Sequence, residues 1–154
     1  MTANDRPRLV RPEGLDPSAP YAYAAVVGPG SLVLTAGACP LDEAGEVVHP
    51  GDVAAQARQA MANLAVALQE SGSSLAHVAR TTVYVASSRR EDLVTAWQEV
   101  RAGFGDHDPP STLLGVAVLG YPDQLVEVEA VATGRDQAPG RSASVTTRAA
   151  SAVE

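Results

Sequence analysis

The stretch from Pro109 to Thr133 limits the fold more than any other part of the chain. Its first half, Thr112–Leu119, reads as a strand. Thr112, Leu114, Val116 and Val118 fall on one face, and Leu113, Gly115, Ala117 and Leu119 on the other. Both faces are nearly free of polar groups, so the strand needs cover on both sides. Gly120-Tyr121-Pro122-Asp123 supplies turn chemistry, with glycine for backbone freedom and proline for a fixed φ. Leu125–Thr133 then reads as a second strand, joined to the first by that tight turn. It places Val126, Val128, Ala130 and Ala132 on one face and Glu127, Glu129 and Val131 on the other. Periodicity alone leaves the two carboxylates open between a solvated strand face and a functional pair.

The remaining elements follow in order. Residues 1–14 read as a flexible arm. Tyr21–Val27 and Ser31–Ala36 read as a hairpin about Gly28-Pro29-Gly30. The small residues from Gly37 to Pro40 let backbone approach a ligand closely. Asp52–Glu70 is the clearest helix, with a stripe of Val53, Ala57, Met61, Leu64 and Leu68. Asp52 serves as its N-cap and Gly72 lies just past its end. Val78–Ala86 is a strand. Ser88 and Glu91 form a capping box for a second helix, which carries Leu93, Trp97, Val100 and Phe104 and ends at Gly105. Residues 135–154 are poor in large apolar side chains and read as a disordered tail.

This gives an α+β fold of order β-β-α-β-α-β-β over residues 15–134. The sheet is mixed and mostly antiparallel, with two helices on one face. Two helices cover one face only, and the other would be an exposed apolar patch. The pattern therefore predicts a homo-oligomer with sheets inward, helices outward and clefts between subunits.

Composition excludes several roles. The 154 residues carry a net charge of −7 with no basic run, which argues against nucleic acid and anionic membranes as partners. The single cysteine, Cys39, cannot form an internal disulfide and suits a reducing compartment. The polar N-terminus and the lack of a long apolar run predict a cytoplasmic protein. His49, His77, His107 and Cys39 lack metal-ligand spacing, so no metal is expected. Ser111, His107 and Asp106 or Asp108 are too close together in one loop for relay geometry and read as solvated loop residues.

Several segments together resemble the reactive-intermediate deaminase (Rid) family. These are Leu34-Thr35-Ala36-Gly37 with Pro40, Gly45-Glu46-Val47, Asp52 to Gln59 with Asn63-Leu64, Thr81 to Val85, and Leu125 to Ala130. The resemblance implies the chorismate-mutase-like Rid fold and a homotrimer with active sites in the inter-subunit clefts. It implies hydrolysis of imines and enamines such as 2-aminoacrylate, with no metal or organic cofactor. It places Tyr21 at the family's pocket tyrosine and Glu127 at the glutamate that positions water. Gly37, Leu113 and Trp97 fall on the substrate-binding wall.

The sequence departs from the family at one decisive position. Ser111 stands where active members carry an arginine that forks onto the substrate carboxylate. A hydroxyl supplies one weak donor where the fork supplies two charge-assisted bonds, each worth about 1.5–3 kcal/mol. The expected function is binding of a small metabolite in the clefts, with 2-imino-acid deamination lost or weakened. The alternatives are an enamine or imine hydrolase acting on a substrate without a carboxylate, and, less favoured by the acidity, a ribonuclease. Arg101 or Arg135 could replace the missing cation from elsewhere. A dry cleft without a cation would raise the Glu127 pKa and suit it to general acid/base work.

Overall fold

The structure, a computed structural model, describes residues 8–19, 22–27 and 31–134. The turn at 28–30, Tyr21, Arg135 and the tail lie outside the described residues, as does the arm before residue 8.

The elements are β1 (Arg8–Val10), β2 (Ala24–Val27), β3 (Leu32–Thr35), α1 (Val53–Glu70), β4 (Val78–Val85), α2 (Arg90–Phe104), β5 (Ser111–Gly115) and β6 (Val126–Thr133), with one 3-10 turn at Leu75–His77. They form one six-stranded sheet in the order β1-β2-β3-β6-β4-β5. All neighbours are antiparallel except β4 and β5, which run parallel. The α+β class and the two helices agree with the sequence pattern. One strand is added: Arg8–Val10, within the stretch read as an arm, pairs with β2 and buries Val10.

The tight hairpin expected between the last two strands does not form. β6 inserts between β3 and β4, which occupy both of its edges, so β5 cannot pair with it. β5 instead follows α2 as the return of a β-α-β crossover and pairs with β4, Thr81 opposite Ser111 and Val85 opposite Gly115. The strand is shorter than read. It ends at Gly115, Val116 keeps one backbone bond to Val85 O at 2.8 Å, and the chain then leaves the sheet, with Val118 79% exposed.

α1 begins where Asp52 accepts a bond from the Ala55 amide at 2.9 Å, the expected cap. It buries Ala57, Ala60, Met61, Leu64 and Leu68 against the sheet. Gly72 and Gly105 close the two helices at φ +79 and +64. The capping box at Ser88 is replaced by a pairing one residue earlier. Ser87 Oγ donates to Asp92 at 2.6 Å and accepts from the Arg89 amide at 3.0 Å, while Arg89 holds the cap position. The core lies between helices and sheet, where Val33, Val83, Val85, Val126 and Val128 are fully buried.

The opposite face of the sheet has no cover among the described residues. By alternation it carries Leu9, Leu34, Thr82, Tyr84, Leu114, Glu127 and Glu129, and Leu9, Leu32, Leu34 and Leu114 are exposed there.

Candidate functional site

Glu127 stands in β6 opposite Tyr84, and its side chain folds back over Gly37. A β-carbon at position 37 would lie 2.7 Å from Glu127 Cγ, so only glycine lets the carboxylate take this place. The chain after β3 runs beside the start of β6, with Ala38 and Val128 exchanging backbone bonds at 2.7 and 3.1 Å. That pairing brings Gly37 and Cys39 to Glu127.

Two side chains hold the carboxylate. Gln124 Nε2 donates to Glu127 Oε2 at 3.0 Å, and the Cys39 thiol reaches the same oxygen at 3.6 Å. Gln124 is itself fixed by the Tyr121 amide, which donates to its Oε1 at 3.1 Å. The loop carrying Gln124 is tied to α1 through Gln56, which is fully buried. Its Nε2 donates to the carbonyls of His49 and Asp123 at 3.2 and 2.9 Å, and its Oε1 accepts from the Leu125 amide at 2.7 Å. No cation pairs with Glu127 among the described residues. Burial, and secondarily the charge of Glu127, push the Cys39 thiol up to about 12, so it stays protonated and serves as a donor.

Behind the 36–43 segment lies a cavity of about 250 Å³, lined by Asp16, Tyr23, Cys39, Asp42, Gln59 and Asn63 among others. Asn63 Nδ2 shapes its wall by donating to the carbonyls of Cys39 and Leu41 at 2.8 and 2.9 Å. Tyr23 donates its hydroxyl to Asp16 O at 3.0 Å. Burial, followed by the charge of Asp16, raises its pKa.

Of the residues singled out in the sequence, Gly37 and Glu127 meet. Tyr21 falls outside the described residues, whereas Tyr23 lines the cavity beside Cys39. Ser111 is exposed, and its hydroxyl donates to Pro109 O at 2.8 Å. It sits two strands across and three residues along from Glu127, about 14 Å away by strand spacings, so one chain does not bring the two together. Leu113 and Trp97 pack against the core on the helix side of the sheet. Arg101 lies 3.9 Å from Asp108 at the end of α2. His107 Nε2 lies 2.7 Å from Val78 O, so it does not partner Ser111. Among the described residues no group of three or more His, Cys, Asp or Glu could hold a metal ion.

Sequence reasoning passed over Gln124, Tyr23 and Arg80. Arg80 is exposed and shares the parity of Thr82 and Tyr84, which puts it on the uncovered face, beside a depression of about 190 Å³ that Glu129 also lines. Tyr84 donates to Glu129 Oε1 at 2.9 Å, and that bond, with burial second, raises the Tyr84 pKa. The alternation around Thr82 was a signal for Arg80; nothing local marked Gln124.

The family model described as Endoribonuclease L-PSP matches residues 13–134. The chain belongs to this family. It is the RutC, YjgF and Rid family that the sequence segments resemble. The chain is 33% identical over 123 residues to the 2-iminobutanoate/2-iminopropanoate deaminase of Escherichia coli K12, covering 77% of this chain and 92% of that protein. It is 32% identical over 125 residues to the 3-aminoacrylate deaminase RutC of Acinetobacter baylyi, covering 80% of this chain and 95% of that one. The crystal structure of the YjgF gene product of E. coli superposes with a TM-score of 0.70 at 31% identity, over 83% of this chain and 99% of that one. No helix among the described residues of this family member is long and apolar enough to cross a membrane.

Proposed function

We propose that this Rid-family chain forms a homotrimer whose inter-subunit clefts bind a small metabolite, and that it does not deaminate 2-imino acids at the rate of its relatives. The observation that carries this reading is Ser111. Its short hydroxyl is turned back onto Pro109 O, and Glu127 has no cationic partner among the described residues. The substrates in the relatives' names, 2-iminobutanoate, 2-iminopropanoate and 3-aminoacrylate, all carry a carboxylate. Such an anion would meet the Glu127 charge without a guanidinium to offset it. The separation of Ser111 from Glu127 within one chain supports a site shared between subunits, and the uncovered apolar sheet face supports the trimer.

The held carboxylate of Glu127 favours a second reading, hydrolysis of an imine that lacks a carboxylate. Glu127 would take a proton from water as the water oxygen adds to the imine carbon and the C=N electrons move to nitrogen. Returning that proton to nitrogen gives a carbinolamine. Glu127 then takes the hydroxyl proton and passes it to the amine as the C=O bond forms and the C–N electrons leave with nitrogen, giving a carbonyl compound and ammonia. A ribonuclease reading has the family's description behind it, but the net charge of −7 opposes binding to a polyanion.

The test is ammonia and keto-acid release from 2-aminoacrylate or 2-iminopropanoate generated in situ. The expected rate is that of buffer, with S111R raising it at least tenfold. Turnover by the unaltered chain overturns the first reading, and loss of that turnover in R80Q would identify the cation responsible. Release of ammonia from a carboxylate-free imine, abolished in E127Q, would establish the second reading.

A further inference from the structure

The cavity between α1 and the 36–43 segment is lined on one side by Gln59, Asn63 and Ala67 of α1, the helix that packs on the sheet face opposite the uncovered one. Its volume of about 250 Å³ holds a ligand of several heavy atoms. Its inner wall is apolar, formed by Leu15, Leu41 and Ala67, and its remaining groups are unbalanced in hydrogen-bonding capacity.

The donors are largely engaged. Tyr23 gives its hydroxyl proton to Asp16 O, and both Asn63 amide protons go to the carbonyls of Cys39 and Leu41. Cys39 directs its thiol at Glu127, and Gln59 donates one amide proton to Asn63 Oδ1 at 3.0 Å. The acceptors are not engaged to the same extent. Asp16 and Asp42 each use one oxygen, on Ser18 and on the amides of Ala44 and Glu46. That leaves Asp16 Oδ2, Asp42 Oδ2, the Glu43 carboxylate and Gln59 Oε1 with no protein donor among the described residues, Asp42 and Glu43 standing at the exposed rim. Among the described residues no lysine, arginine or histidine lines the cavity. Arg11 stands outside the lining, donating to Ala19 O at 3.0 Å, and acts on Tyr23 from there.

An apolar floor beneath a rim of unused acceptors complements a donor with a positive charge and a short hydrocarbon body. We propose that this cavity binds a small organic ammonium ion, its alkyl group against Leu15, Leu41 and Ala67 and its N–H groups on Asp16, Asp42, Glu43 and Gln59. A carboxylate of the same shape is excluded by charge and by the shortage of donors. A bound ammonium would share the Cys39 wall with Glu127, so occupancy of the cavity bears on the cleft without depending on it.

The test is calorimetric titration of the full chain at low salt with isobutylammonium chloride, isobutanol and sodium isobutyrate, which share one carbon skeleton. The expected result is binding of the ammonium at least tenfold tighter than isobutanol, with no binding of isobutyrate. D16N/E43Q, which keeps the Asp16 oxygen that Ser18 uses, should weaken the ammonium at least tenfold. A67L, which fills the floor, should abolish binding while the thermal unfolding transition is retained. If A67L does not fold, the Gln59 side-chain amide resonance of the unaltered chain should shift with ammonium and not with isobutyrate. Equal affinity for all three compounds, preference for isobutyrate, or no ammonium binding overturns the proposal. The cleft reading is separately decided by the imine assay, so either can fail alone.

Discussion

Gly37 and Glu127 are in direct contact across the start of β6, and the carboxylate occupies the space a β-carbon would need. Any side chain at position 37 must push Glu127 away from Gln124 and Cys39. Gly37→Ala is expected to lower stability by about 1–3 kcal/mol, the usual range for overpacking. It should also abolish ligand binding that depends on Glu127. Urea denaturation gives the first quantity. A crystal structure of the variant with Glu127 unmoved would refute the account.

Gln56 ties three backbone groups to α1 from a fully buried position. Gln56→Ala leaves the Leu125 amide and the Asp123 carbonyl without a partner, while the His49 carbonyl keeps its bond from the Asp52 amide at 3.1 Å. Each unsatisfied group costs about 1–3 kcal/mol. We expect a loss of at least about 2 kcal/mol and faster hydrogen exchange at Gln124 and Leu125. Exchange unchanged in that loop would show that Gln56 does not position the site.

The Cys39 thiol should resist alkylation in the native state. With its pKa raised from 9.0 to about 12, the native thiolate fraction at pH 8 is about a thousandfold below that of the unfolded chain. Iodoacetamide should therefore react at least a hundredfold more slowly with folded protein than in urea. The sign for stability follows from the same shift. The native state holds this proton more tightly than the unfolded state, so the contribution is complete below about pH 9 and is lost as pH rises through about 12. Denaturation midpoints that rise across that interval would contradict it.

Leu34 and Leu114 are exposed on the uncovered sheet face, 42% and 43%. If that face is the trimer interface, L34D/L114D should sediment as a monomer while keeping the helical signal, because neither side chain belongs to the core. The unaltered chain should sediment as a trimer at micromolar concentration. A monomeric unaltered chain would remove the cleft and leave the cavity beside α1 as the remaining proposed site.

The helices were legible because their signals are local. The apolar stripe of α1 and the Asp52 cap occupy consecutive turns, and the structure keeps both. β6 was legible as a strand for the same reason, Glu127 and Glu129 alternating with buried residues. Its neighbours were not legible. The Gly120–Asp123 turn carries hairpin chemistry, but partner choice is decided by the β4-α2-β5 crossover, which takes β5 to the sheet edge and gives β6 to β3 and β4. The site divides in the same way. Glu127 and Gly37 came from sequence segments that resemble the family. The Gln56–Leu125 tie arises only when distant segments pack, and it holds the loop from which Gln124 reaches Glu127 three residues on; nothing local marked Tyr23 for the cavity it lines.

The position of β6 has a consequence for synthesis. The middle of the sheet is filled by the last of the described strands, so β3 and β4 present open edges until Val126–Thr133 has been made. A nascent chain can assemble its helices early, yet it cannot close its sheet or place Glu127 until nearly all of the family domain has left the ribosome. Stalling there would expose two adhesive edges at once, which makes the interval before β6 arrives the period of greatest aggregation risk.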